Sequence, residues 1–252
     1  MSQPVLELKN VSVVLGGEYI LKGINLSVQK GETIILIGPS GSGKSVLLKT
    51  LAGVYDPYEG ESFCEGHSWK QMSVLGKHDL AAKVGVQFQR GALFDHLNAA
   101  ENIEFPLREH LKLSEEEIGR RVKECLAAVD LEKSAGLMPH EMSGGMRQRL
   151  SVARAIALQP EILFFDDPTA GLDPLNSDKM AELLVALKNK IGATMVVVTH
   201  DMYRAYQLAG RIFLVGNQTV IECGNAEQTQ KHTDARVQQF IQGKMTGPLN
   251  WG

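Results

Sequence analysis

The sequence predicts an α/β protein with a parallel sheet, an antiparallel β subdomain near its start and a helical insert. Three observations carry that prediction. Thr33-Ile34-Ile35-Leu36-Ile37, Ile162 to Phe165 and Met195 to Thr199 are short continuous apolar runs, as expected of strands covered on both faces. Helix-period patterns lie between such runs, and strands alternating with helices build parallel sheets. The first thirty residues instead alternate apolar and polar positions, as antiparallel strands with one wet face do.

Taken in order, Val5-Leu6-Glu7-Leu8, Val11-Ser12-Val13-Val14 and Ile24-Asn25-Leu26-Ser27-Val28 form the alternating segment, broken by turns at Gly16-Gly17 and Lys30-Gly31. The buried strand at 33–37 leads to a helix over Leu47 to Leu51, and Val84 to Phe88 is a further strand candidate. From about Gly91 to Leu158 no strand pattern appears. Helices are predicted there over Ile118 to Val129 and Met146 to Leu158, the first opened by Ser114 and Glu117 as a capping box. A helix over Lys179 to Ile191 precedes the third buried strand. Ile212 to Val215 and Thr219 to Glu222 flank Gly216-Asn217, a hairpin signal. The tail from Asn225 is polar except for an apolar stripe of Val237, Phe240 and Ile241, which must dock on its own subunit or across a dimer.

Composition narrows the function. With 44% hydrophobic and 22% charged residues and a formal net charge of −3, the 252-residue chain is balanced like an ordinary folded protein. That balance argues against nucleic-acid binding through bulk positive charge. Cys64, Cys125 and Cys223 lie far apart, without the spacing of a zinc site or a disulfide framework, which fits a reducing compartment. Met1-Ser2-Gln3-Pro4-Val5 carries neither the basic nor the apolar stretch of a signal peptide. No apolar run approaches the ~20 residues of a spanning helix.

The chemistry begins at Gly38-Pro39-Ser40-Gly41-Ser42-Gly43-Lys44-Ser45, a full match to G-x-x-x-x-G-K-[ST] between a buried strand and a helix. Its glycines let backbone N–H groups turn inward as an anion nest, and the following helix adds its dipole. Lys44 would reach the β- and γ-phosphates, and the Ser45 hydroxyl would ligate Mg²⁺. Ile162-Leu163-Phe164-Phe165-Asp166 is an apolar strand ending in a carboxylate, so Asp166 is the expected second anchor of that ion through a bound water. Ser143-Gly144-Gly145-Met146-Arg147-Gln148 opens a helix, Pro168-Thr169-Ala170-Gly171-Leu172-Asp173-Pro174 follows, and Thr199-His200-Asp201 comes after another buried strand.

In this order the motifs resemble those of the ATP-binding cassette family of ATPases, over roughly Val5 to Gly224. The resemblance implies a P-loop NTPase fold: a RecA-like nucleotide-binding core with the antiparallel β subdomain over 1–90 and 159–224, a helical signature subdomain over 91–158, and a tail over 225–252. It implies ATP and Mg²⁺ as ligands. Ser143, Gly144 and Gly145 would face the γ-phosphate of ATP bound to a second subunit, and Asp173 would lie in the loop that crosses the dimer interface. Gln89, in preference to its neighbour Gln87, matches the glutamine that senses Mg²⁺ and the attacking water. His200 matches the switch histidine on the γ-phosphate.

Two departures from the family pattern bear on chemistry. Asp167 stands where active members carry Glu, leaving the water-polarising carboxylate on a stem one methylene shorter, which either a small backbone shift makes good or slow hydrolysis reveals. At the position of the adenine-stacking aromatic stands Leu15, while Tyr19 beyond the turn reads either as its substitute or as a strand-edge residue. Met142 and Met146 replace the commonest signature residues without touching the N–H groups that do the binding.

One copy of each motif implies a homodimer as the working unit, and the absence of a membrane segment implies separate integral permease subunits. Gly91-Ala92-Leu93-Phe94-Asp95, Glu101-Asn102-Ile103-Glu104-Phe105-Pro106-Leu107, Ser143-Gly144-Gly145-Met146 and the tail from Asp234 to Gly243 with Gly247-Pro248 are similar to lipid-transport cassettes of the Mla/Mce type. That resemblance implies phospholipid transport between inner and outer membrane, an Mce-domain substrate-binding protein in the complex, and a place on the cytoplasmic face of the inner membrane through partners. Residues 90–105 would receive the permease's coupling helix. Two other readings stay open: a cassette for amino acids or lipoproteins, and a nucleotide-gated binding module that Asp167 leaves without hydrolysis.

Overall fold

The computed structural model describes residues 3–89, 92–208 and 210–250. The strands are β1 (Leu6–Leu15), β2 (Glu18–Val28), β3 (Thr33–Ile37), β4 (Glu59–Cys64), β5 (His67–Ser68), β6 (Val84–Gln87), β7 (Ile162–Asp166), β8 (Thr194–Val198), β9 (Arg211–Gly216) and β10 (Thr219–Gly224). The helices are α1 (Lys44–Leu51), α2 (Val74–Ala81), α3 (Ala99–His110), α4 (Glu115–Ala128), α5 (Gly144–Ala155), α6 (Pro174–Ile191), α7 (Met202–Gln207), α8 (Ala226–Gln230) and α9 (Ala235–Ile241). They fall into two compact units, one of residues 1–73 with 194–252 and the other of residues 74–193.

The first unit holds two sheets. β1 and β2 form a long antiparallel hairpin turned at Gly16-Gly17, and β4 and β5 extend it in the order β2-β1-β4-β5. In the other sheet, β3 lies between β8 and β9, parallel to both, and β10 returns antiparallel to β9. β3 and β8 are buried at every position, which is why their sequences are unbroken apolar runs rather than alternating ones. Trp69 closes the end of α1: its indole N–H donates to the Leu51 carbonyl at 3.2 Å, and its ring lies where a side chain on Gly53 would stand.

The second unit contains the parallel pair β6 and β7 with α2 to α6 and two 3₁₀ turns at Glu132–Ser134 and Pro139–Glu141. Phe164 and Phe165 on β7 are fully buried, so truncating either to Ala would cost about 3–5 kcal/mol. The capping box at Ser114 and Glu117 is present, with both reciprocal bonds made.

Several boundaries differ from the sequence expectation. α1, α5 and α6 begin at Lys44, Gly144 and Pro174, three, two and five residues earlier than their apolar periodicity, because their first turns carry no buried apolar side chain. The last hairpin turns at Asn217-Gln218, both left-handed at φ 50° and 63°, while Gly216 pairs with Thr219 inside the ladder. That is one residue later than the Gly-Asn signal. β4 and α2 lack a strong apolar period and escape sequence reading, and so does α3 although Ile103 and Leu107 bury one of its faces. β4 buries only the small residues Ser62 and Cys64, and α3 carries Pro106 within an unbroken helix that Asn98 and Glu101 cap. The tail stripe docks on its own unit: Val237 is fully buried, with Phe240 and Ile241 half-buried.

Candidate functional site

In the first unit, β3 ends at Ile37 and the chain turns sharply into the glycine-rich loop. At Gly38, φ is 146° and a side chain would run into the Val215 carbonyl oxygen, so only glycine lets the loop leave the strand here. Gly43 caps α1 with a left-handed backbone and no side-chain bond, leaving the first N–H groups of the helix directed into the loop. Lys44 is buried, and its Nζ donates to the carbonyls of Gly38 at 2.9 Å and Pro39 at 2.6 Å. The ammonium is thereby held across the mouth of its own loop. The Ser42 hydroxyl is buried and makes no hydrogen bond among the described residues. A buried polar atom of that kind is costly unless a ligand completes it, and a phosphate oxygen is the partner this loop is built to receive.

His200 belongs to the same unit. The parallel register pairs Leu36 with Val198, so the loop that leaves β3 and the His200 segment that leaves β8 follow the same ends of two neighbouring strands. Thr199 is buried and its Oγ1 accepts from the Asp201 amide at 3.1 Å, while Asp201 caps α7 through Tyr203 N–H at 2.9 Å. These bonds fix the chain on both sides of the exposed His200.

The second unit assembles the other expected residues. β6 and β7 pair Gln87 with Phe165, so Gln89 and the Asp166-Asp167 pair lie at or just beyond the C-terminal ends of adjacent parallel strands. Asp166 and Asp167 are both buried, and Asp167 has a left-handed backbone at φ 52°, unusual for any residue but glycine. Gln87 points the other way: its Nε2 donates to the Phe88 carbonyl at 2.8 Å and Gln148 Oε1 at 3.3 Å, tying the strand end to α5. Gln148 is a contact that sequence reading missed. The signal was a polar side chain at a core-facing position of α5.

Ser143 caps α5, its Oγ accepting from the Met146 amide at 3.2 Å. Nothing stands within 4 Å of a side chain placed on Gly144, so the helix start is open. Gln89, Gly144, Arg147, Gln148 and the loop Ala170-Gly171-Leu172 line one cavity of about 350 Å³. Asp173 caps α6 through the Asn176 amide at 3.0 Å, and that bond holds its carboxyl below the usual range. An apolar cavity of about 370 Å³ lies elsewhere in the unit, with Phe94, Phe105, Pro106 and Arg154 in its wall. Phe94 and Phe105 pack at 4.7 Å, and Arg154 lies over the Phe94 ring while donating to the Ala92 carbonyl at 2.7 Å. Arg90 and Gly91, included in the expected permease groove, lie outside the described residues.

Comparison with known proteins agrees with this geometry. Residues 21–170 match the family model described as ABC transporter. The intermembrane phospholipid transport system ATP-binding protein MlaF of Haemophilus influenzae is 37% identical over 251 residues, covering 100% of this chain and 95% of that protein. A probable ribonucleotide transport ATP-binding protein, mkl, of Mycobacterium bovis is 35% identical, covering 97% of this chain and 68% of that protein. Among solved structures, a dimeric post-hydrolysis state of the ATP-binding cassette MJ0796 bound to ADP and Pi superposes with a TM-score of 0.79 at 35% identity. The match covers 86% of this chain and 98% of that one. With a glycine-rich phosphate loop, a buried strand-end carboxylate pair and an open signature helix in the family's order, the chain belongs to the ABC transporter family and is an ATPase.

Proposed function

We propose that this ATPase powers phospholipid transport through separate membrane permease subunits, as a homodimer on the cytoplasmic face of the inner membrane. The observation that carries the reading is the 37% identity to MlaF over the whole chain. Among the described residues no helix is long and apolar enough to cross a membrane, so a transport role calls on other subunits. The apolar cavity with Phe94 and Phe105, the latter 43% exposed, suits a helix presented by a permease, and an Mce-domain protein would deliver the lipid.

The residue roles follow the motifs. Residues 38–45 cradle the phosphates, with Lys44 leaving its resting carbonyls for the β- and γ-phosphates and the Ser42 hydroxyl gaining a partner. Ser45 and Asp166 serve Mg²⁺, the latter through water. Among the described residues no three His, Cys, Asp or Glu side chains cluster as a metal cage, and Mg²⁺ suits this donor set because it draws most of its shell from phosphate and water. Gln89 orients the attacking water and senses the ion, Asp167 accepts its proton, and His200 contacts the γ-phosphate. One copy of each motif per chain supports pairing of residues 38–45 of one protomer with Ser143, Gly144 and Gly145 of the other. Asp173 sits next to that junction.

The test is to purify the chain from membranes of its source in mild detergent and analyse what comes with it. A co-purifying multi-spanning protein with bound phospholipid is expected. A complex free of phospholipid whose ATPase responds to a ribonucleotide would replace this reading with the one the mkl relative suggests.

A further inference from the structure

We propose that Gln87 is a positioning residue for hydrolysis: its side-chain amide ties the peptide that leads into Gln89 to the helix that Ser143, Gly144 and Gly145 open. The proposal rests on the reading of Gln89 and of residues 143–145 given above. β6 and α5 are laid against each other in opposite directions. A side chain on Gly85 would run into the Ala155 carbonyl at the end of α5, whereas Gln87, further along the strand, meets Gln148 near the beginning of that helix. Gly85 and Gln87 are the buried positions of β6 and share one face of the strand. Gln148 and Ala155, both buried, stand about two turns apart and share one face of α5. The helix therefore starts at the end of the strand from which Gln89 leaves.

A fully buried carboxamide is a costly occupant of a strand position that faces a helix, where an apolar side chain would need no partner. Gln87 Nε2 donates to the Phe88 carbonyl at 2.8 Å and to Gln148 Oε1 at 3.3 Å. Its own Oε1 is buried and accepts no hydrogen bond among the described residues. An orphaned oxygen lowers stability, so stability is not what this carboxamide contributes. Its two donated bonds act on geometry instead. One holds the carbonyl of Phe88, the residue before Gln89, and the other holds α5 about one turn after its start at Gly144. Gln87 also pairs with Phe165, the residue before Asp166, which anchors it on the strand that carries the buried carboxylates. Gln148 brings the link to the wall of the cavity of about 350 Å³ that Gln89 and Gly144 also line. With the bond made, a shift at the start of α5 is passed to the peptide between Phe88 and Gln89. With the bond cut, that peptide turns about its own torsions.

Gln87→Met, Gln148→Met and the double variant test this in the full chain, since Met keeps much of the volume and removes the bond. The readouts are kcat and KM for Mg-ATP, with thermal melting alongside. Gln87→Met is expected to lower kcat about three- to tenfold, the scale of one lost hydrogen bond, with KM unchanged and Tm kept or raised. Gln148→Met is expected to lower kcat likewise, and the double variant to be no slower than the slower single one, because both act through one bond. A native kcat in Gln87→Met overturns the proposal, as do losses that multiply in the double variant. A fall in kcat accompanied by a raised KM and a lowered Tm also overturns it, leaving Gln87 a packing residue. Gln89→Ala keeps the two levels apart: native turnover in that variant refutes the reading of Gln89 itself, and this proposal with it.

Discussion

Asp167 is where the account is most exposed to a single substitution. It is 4% exposed and has a φ of 52°, a region that costs an ordinary L-residue about 1–2 kcal/mol and that Asp tolerates better than most. Asp167→Glu lengthens the stem by about 1.5 Å, one carbon–carbon bond, and gives up that local tolerance. If the short stem limits proton transfer to this carboxylate, Glu should raise the steady-state rate of phosphate release at saturating Mg-ATP. The same change should lower stability by about 1 kcal/mol, a fall of about 2–4 °C in Tm for a chain of this size. Asp167→Asn keeps the shape and the left-handed preference but removes the proton acceptor, and should slow turnover by about 10²-fold or more. Phosphate release and thermal melting on the three proteins decide the matter. An inactive Asn variant beside a Glu variant with native turnover would refute the limiting stem, and full turnover in the Asn variant would refute Asp167 as the base.

Two further outcomes follow from local geometry. Gly38→Ala drives its new methyl into the Val215 carbonyl on β9, so the variant should lose nucleotide binding in calorimetry; a native Kd would contradict the close approach drawn for the loop. Burial pushes the thiols of Cys125 and Cys223 up to about 11, so neither should react with Ellman's reagent at pH 8 until the chain unfolds. Rapid labelling of the native protein would show those residues more open than described.

Much of the site was legible in the sequence because its chemistry depends on backbone. A glycine-rich loop between a buried strand and a helix leaves few alternatives, and β3, β7 and β8 are unbroken apolar runs for the same reason that they hold the loop ends steady. Asp166, Asp167, Gln89 and His200 could be placed at strand ends from their position after such runs. β4 could not, since it is paired through backbone and buries small side chains, so nothing in Glu59-Gly60-Glu61 marks a strand. The Gln87–Gln148 link and the slot over Gly216 that buries Leu249 were hidden for another reason: each joins residues distant in sequence through side chains whose types are common on surfaces. The hairpin slip at Gly216 shows the limit of turn signals. Glycine there makes room for Leu249 rather than a bend.

The central claim is that one chain supplies half of each hydrolytic site. The most direct measurement is the dependence of ATPase rate on protein concentration in Mg-ATP, with Lys44→Ala as the companion. The account predicts a rate rising with the square of concentration below the dimer's dissociation constant, and no turnover in the variant at any concentration. A strictly linear rate down to the most dilute active sample, or hydrolysis that survives loss of Lys44, would contradict it.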